Sequence, residues 1–186
     1  MSEFARPTLS ALIRAAVESS GATAGWILER RVDDLIIVAA AGGSVAWAQS
    51  IIGRAAPVGS GTASLVAQTG QPVAIQPGAG SLSDDLSTEL LERTPTSLIC
   101  VPCIDDEHVV GALQLVDKLG GDAFDFDDVE TATMLGAVAG VALGEGGTVT
   151  IDPPSPDRLG RDLVRLAQVD PPRYAALALV VEALLA

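Results

Sequence analysis

The sequence predicts an α/β fold of the α+β kind: a central antiparallel or mixed sheet of five or six strands with helices on both faces, plus a small helical extension at the C-terminus. Three observations carry that prediction. Helix-period apolar runs open and close the first 146 residues, strand-length apolar runs lie between them in two closely spaced pairs, and a Pro-rich stretch, "DPPSPD", separates this block from two further helical runs. Residues 1–146 therefore read as one domain, and residues 147–186 as a linker and helical extension. A chain of 186 residues is long enough for one such core and too short for two comfortable ones.

The first element is "TLSALIRAAVESSG". Leu9, Leu12, Ile13, Ala16 and Val17 recur at the spacing of one buried helical face, with Thr8 after Pro7 as the expected cap and Gly21 as the stop. "AGWILERR" and "DLIIVAAAGG" then read as two strands joined by a tight turn at Val32 to Asp34. "AWAQSIIGRAAPVGSG" reads as irregular, with a short apolar turn around Trp47 to Ile52. A short helix follows, capped at Ser60 and stopped by Gly70, and then a strand after Pro72.

In the next segment Leu82, Leu86 and Leu90 stand four apart, which predicts a short amphipathic helix capped by Ser83. With its Gly-rich flanks it is placed to act as a lid. "TSLICVPCI" and "HVVGALQLVDK" are separated only by "DDE", so they form a hairpin turning at Asp105 to Glu107. "FDFDDVETATMLGAVAGVALG" is a long helix over 126–144, with Asp125 as cap and acids in its first turn. Gly136, Gly140 and Gly144 form a stripe along it with Ala132. Each interior glycine costs a helix about 1 kcal/mol relative to alanine, so close approach to another helix is the expected compensation. The tail, "YAALALVVEALLA", is apolar without a polar stop.

The formal charge of -13 repels phosphate backbones and anionic lipid, so neither nucleic acid nor an anionic membrane surface is an expected partner. Ten arginines against one lysine, with abundant Ala and Gly, match GC-rich bacterial coding. No apolar run reaches the roughly 20 residues that span a bilayer, and Phe4, Arg6 and Pro7 interrupt any secretory leader, so a cytoplasmic location is expected.

The candidate site residues are few. Gly59-Ser60-Gly61-Thr62 opens a helix, where backbone N–H groups can hold an anion or simply make a tight, serine-capped turn. Asp84 and Asp85 can bind a cation or an amine, or be a solvated helix start. Gln114 sits inside an apolar strand, where it lines a pocket or marks an exposed strand edge. Ser97 and Cys100, on the first strand of the central hairpin, complete the candidate ligand-binding set. Cys100 and Cys103 have the spacing of a redox or zinc pair, but on a strand they point to opposite faces about 10 Å apart, beyond disulfide reach of about 7 Å. With one histidine in the chain, His108 at a hairpin turn, neither a catalytic triad nor a two-histidine metal site is supported.

The order of elements, together with "GSGTASLVAQTGQPVAI", "SLICVPCIDDEHVVGALQLVDK" and "FDFDDVETATMLGAVAGVAL", resembles the GAF domain, a sensory relative of the PAS fold, over about residues 8 to 145. The resemblance implies non-catalytic sensing of a small molecule or regulated protein interaction in bacterial signal transduction, with a pocket under residues 57–94. A ligand-free dimerisation module is the alternative. Lys118, Phe124 and Asp128 match the signature of cyclic-nucleotide-binding members, but Asp117 stands where they have Asn and Val129 where they have Glu, which disfavours a cyclic nucleotide. Haem ligation through His108 and chromophore attachment through a Cys-His pair are disfavoured too, so no cofactor is expected. The free methionine sulfoxide reductases are also GAF domains, but theirs include cysteines in the lid, and residues 57–94 here have none. A homodimer through helices 8–20 and 126–144, with help from the C-terminal tail, is the expected assembly.

Overall fold

The computed structural model describes residues 5–57, 59–76, 85–120, 123–144 and 156–185. In chain order the elements are α1 (Ala5–Ser20), β1 (Ala22–Arg30), β2 (Asp34–Gly42), α2 (Val45–Ile51), β3 (Ala55–Pro57), α3 (Gly61–Thr69), β4 (Val73–Ile75), α4 (Leu86–Leu91), β5 (Leu98–Asp105), β6 (His108–Lys118), α5 (Phe126–Gly144), α6 (Pro156–Val169) and α7 (Pro171–Leu185). The strands form one six-stranded sheet in the order β3-β2-β1-β6-β5-β4. Every neighbouring pair is antiparallel.

Strand alternation sends residues to two separate cores. Leu9, Leu12 and Ile13 of α1 and Leu135 and Ala139 of α5 pack on Ile27, Ile99, Val101, Leu113 and Leu115 on one face. On the other face Trp26, Leu28, Ile37, Leu98, Cys100 and Val116 lie under Ile51 of α2, Val66 of α3 and Leu90 of α4. Each large side chain buried this way contributes about 1.5–3 kcal/mol. One extra residue, Val38, bulges from β2, so that Val38 and Ala39 both serve the α1 core while Ile37 serves the other.

Several expectations need correction. α1 begins at Ala5, upstream of the expected cap, because Pro7 lies in the first turn, where its missing N–H costs no helical hydrogen bond. Thr8 is thus inside the helix, while Gly21, at φ +66°, ends it as expected. The segment expected to be irregular holds α2 and β3. Ser44 Oγ caps α2 by accepting from the Trp47 N–H at 3.1 Å, and Ile51 alone is buried, too little to leave a helical period in the sequence. α4 is capped by Asp85, and Ser83 lies outside the described residues.

The glycine stripe does not meet another helix. A Cβ at Gly136 would lie 2.8 Å from the Pro102 carbonyl oxygen, one at Gly140 would overlap the Ile104 backbone, and one at Gly144 would overlap the Asp105 carboxyl. α5 presses onto β5 of its own sheet, and the glycines set that distance. α5 is capped as expected: Asp125 Oδ1 accepts from the Asp128 N–H at 3.0 Å, and Asp128 Oδ2 accepts from the Asp125 N–H at 2.8 Å. α7 packs on α1, and α6 on α7. Arg173 at the start of α7 donates from Nε to Met134 Sδ of α5 at 3.1 Å.

Candidate functional site

The lid side of the sheet contains a buried polar chain. β6 lies between β1 and β5, and its register pairs Gln114 with Trp26 on one side and Cys100 on the other. Gln114 is fully buried, so exposure at a strand edge is not its role. Its Oε1 accepts from the Trp26 indole Nε1–H at 3.2 Å, and its Nε2 donates to Asp85 Oδ1 at 3.1 Å. An indole only donates and a carboxylate only accepts, which fixes the amide's orientation.

Asp85 is the junction of this chain. Its Oδ2 accepts from the Thr62 N–H at 2.7 Å, and its Oδ1 from the Ser87 N–H at 2.9 Å and the Ser87 hydroxyl at 2.6 Å. One carboxylate thus caps both α3 and α4. Ser60 holds the expected N-cap position of α3, but its side chain makes no capping bond, and Asp85 serves that amide from across the lid. Burial pushes the Asp85 carboxyl up, yet hydrogen bonds from Ser87 and Thr62 outweigh it and hold the group below the ordinary carboxylate value.

A second polar cluster closes the far end of the lid. Asp117 Oδ1 accepts from the Thr96 N–H at 2.6 Å and the Thr96 hydroxyl at 3.0 Å, and Oδ2 accepts from Arg93 Nη2 at 2.6 Å. Burial raises this carboxyl, and Arg93 and Thr96 lower it by more. Ser97, fully buried, is spent on the same junction: its Oγ accepts from the Lys118 N–H at 3.2 Å, and its carbonyl from the Asp117 N–H at 2.9 Å. Lys118 pairs with Asp128, which holds the ammonium above its ordinary value against desolvation. Of the three residues that match the cyclic-nucleotide signature, Lys118 and Asp128 hold the end of β6 to the start of α5, and Phe124 is buried in the core between the sheet and helices α1 and α5.

The structure brings Thr62, Asp85, Gln114 and Cys100 of the candidate set to one place. Asp84 lies outside the described residues. Cys100 faces this chain and Cys103 faces the α1–α5 core, as strand alternation requires. Burial, with a smaller push from Asp85, raises the Cys100 thiol, and burial alone raises Cys103. His108 is exposed at the turn. Among the described residues, no group of three or more His, Cys, Asp or Glu is placed to hold a metal ion. Sequence reasoning missed Trp26, Trp47, Ser87 and Arg93, whose partners are set by strand order and lid placement.

Beside this chain, Trp47 stacks edge-on to Trp26, with ring centroids 6.3 Å apart, and donates from Nε1 to the Leu90 carbonyl at 3.1 Å. A cleft of about 440 Å³ opens there, lined by Thr23, Trp47, Leu90, Glu92 and Arg93. That size accommodates a small molecule.

An all-antiparallel six-stranded sheet, with α1 and α5 on one face and the short helices α2, α3 and α4 on the other, defines an α+β class of domain. The chain belongs to the GAF domain family, whose model matches residues 6–144. No curated protein matches the chain. Among solved structures it is similar to the GAF-B domain of DevS from Mycobacterium smegmatis, with 19% identity, a TM-score of 0.57, and coverage of 74% of this chain and 90% of that one. It is also similar to the GAF domain of a phosphoenolpyruvate-protein phosphotransferase from Coxiella burnetii, with 15% identity, a TM-score of 0.64, and coverage of 75% and 82%. A type II free methionine-R-sulfoxide reductase from Thermoplasma acidophilum shares the fold as well, with 17% identity, a TM-score of 0.60, and coverage of 77% and 94%.

Proposed function

We propose that this chain is a non-catalytic signalling domain of the bacterial cytoplasm that works through regulated protein contact and assembles as a homodimer. One observation carries this reading. The side chains of Trp26, Gln114, Asp85 and Ser87 on the lid face, with the backbone N–H of Thr62, spend their hydrogen bonds on one another, tying the centre of the sheet to both lid helices. Among the described residues no buried side-chain nitrogen or oxygen lacks a partner. Groups already satisfied by one another leave a polar ligand little to gain here, because it would have to replace bonds that are already made. Reductase chemistry of the kind named for the Thermoplasma acidophilum neighbour is disfavoured, because a thiol nucleophile must ionise and burial opposes that at both Cys100 and Cys103.

A second reading, small-molecule sensing, is favoured by the cleft between Trp47 and Arg93. Native mass spectrometry of protein purified from cells separates the two. An empty dimer supports the contact module, and a stoichiometric retained small molecule supports sensing and sinks the first reading.

A further inference from the structure

Four of the eleven positive charges on this acidic molecule are in ion pairs, and Arg14, exposed on α1, has no ion-pair partner among the described residues. Arg31 pairs with Glu29, Arg54 with Glu89, Arg93 with Asp117 and Lys118 with Asp128. α6 carries two arginines together. Arg161, Val164, Arg165 and Gln168 stand at i, i+3, i+4 and i+7, so they form one stripe along the helix, and all four are exposed. Neither arginine has an ion-pair partner among the described residues. On the other side of α6, Leu163, Leu166 and Ala167 are half-buried, and α6 packs on α7. Val164 is left 61% exposed between the two arginines.

α5 has the opposite character. Phe126, Glu130, Thr133 and Ala137 form an exposed stripe at i, i+4, i+7 and i+11, with Asp127 beside it. Phe126 is 80% exposed, although aromatic residues are only 3% of this chain. Asp127 and Glu130 have no ion-pair partner among the described residues.

We propose that the α6 stripe docks on the start of α5 in a second copy of this chain. The two faces match in charge and spacing: Arg161 and Arg165 lie about 6 Å apart along their axis, and Asp127 and Glu130 about 4.5 Å along theirs. Phe126 supplies an aromatic anchor next to the acids, and Val164 an apolar contact between the arginines. Two copies carrying -13 each repel one another over most of their surfaces. α6 presents two exposed arginines one turn apart to which an acidic face can dock, and the second copy is an acidic molecule with a fitting face. A two-fold axis makes the contact twice, α6 on α5 and α5 on α6. This inference rests on the homodimer proposed above and assigns its interface.

The test is sedimentation at micromolar concentration with reciprocal charge swaps, in the full chain. All four positions are exposed, so circular dichroism of every variant should match wild type. The Arg161→Glu/Arg165→Glu and Asp127→Arg/Glu130→Arg variants should each dissociate at least about tenfold more readily than wild type. Mixed one to one, they should form a heterodimer, because both contacts are again complementary, and the quadruple variant should dimerise by itself. Such rescue also excludes misfolding as the cause of the loss. A dimeric wild type whose double variants stay equally dimeric, or whose double variants weaken without rescue, overturns this interface and leaves the homodimer standing. A wild-type monomer overturns both.

Discussion

At the scale of single residues, Asp85 joins the amides that open α3 and α4 to the side chain of Gln114, so its charge matters twice, as cap and as junction. Replacing it with Asn puts N–H groups where donors already converge, and Asp85→Asn should cost about 2–3 kcal/mol at neutral pH, read by urea unfolding. The pH dependence has a definite sign. The carboxyls of Asp85 and Asp117 are both held below their ordinary value in the folded chain. As pH falls below about 4, the unfolded chain takes up protons that the folded chain still refuses. Their stabilisation is therefore complete above that pH and is lost as pH falls through the folded values. Asp85→Asn should flatten the loss of stability between pH 5 and pH 3, and an unchanged slope would show that Asp85 is not among the groups responsible.

At the scale of elements, the hairpin and the long helix each show a conflict between residue and geometry. Asp106 and Glu107, the two turn residues between β5 and β6, sit at φ +42° and +69°, where a side chain is disfavoured. Two-residue turns of this hand favour Asn-Gly, so Asp106→Asn/Glu107→Gly should stabilise the chain by about 1 kcal/mol, seen as a rise in Tm of several degrees. α5 presents the reverse case. Gly140→Ala raises helix propensity by about 1 kcal/mol, yet places a methyl group on the Ile104 backbone. Helix and strand must then separate, and the variant should lose about 2 kcal/mol or more on chemical denaturation. If Gly140→Ala proves as stable as wild type, the close packing of α5 on β5 is not what the glycines serve.

At the scale of the whole molecule, stability is distributed unevenly. The central strands β1, β5 and β6 carry fully buried residues on both faces of the sheet, whereas none of the described side chains of α6 and α7 is buried. Amide exchange should therefore be slowest in β1, β5 and β6 and fastest among the helices in α6 and α7, opening well below the global unfolding free energy. Equal protection in α7 and α5 would contradict this ordering. Among the described residues no helix is long and apolar enough to cross a membrane. Tyr174, Leu179 and Val181 on α7 are exposed apolar residues.

By itself the sequence determined the local elements whose signals are local. The β1–β2 and β5–β6 hairpins, α1 up to Gly21, and α5 with its Asp125 cap follow from period, turn residues and caps that lie within a few positions of one another. α2 escaped because only Ile51 is buried, so no period marked it. Only the tertiary structure decided what α5's glycines touch, since a small-residue stripe signals close approach without naming the neighbour, and the neighbour is the backbone of β5. It also decided the polar chain. Trp26 and Gln114 stand 88 residues apart and meet because the strand order places β1 beside β6. Asp85 reaches the amide of Thr62 across 23 residues because the sheet brings both lid helices over the same strands. Caps and periods act through neighbouring backbone angles and can be read along the chain. Which strand lies beside which is set by the packing of both faces at once, and no local pattern records it.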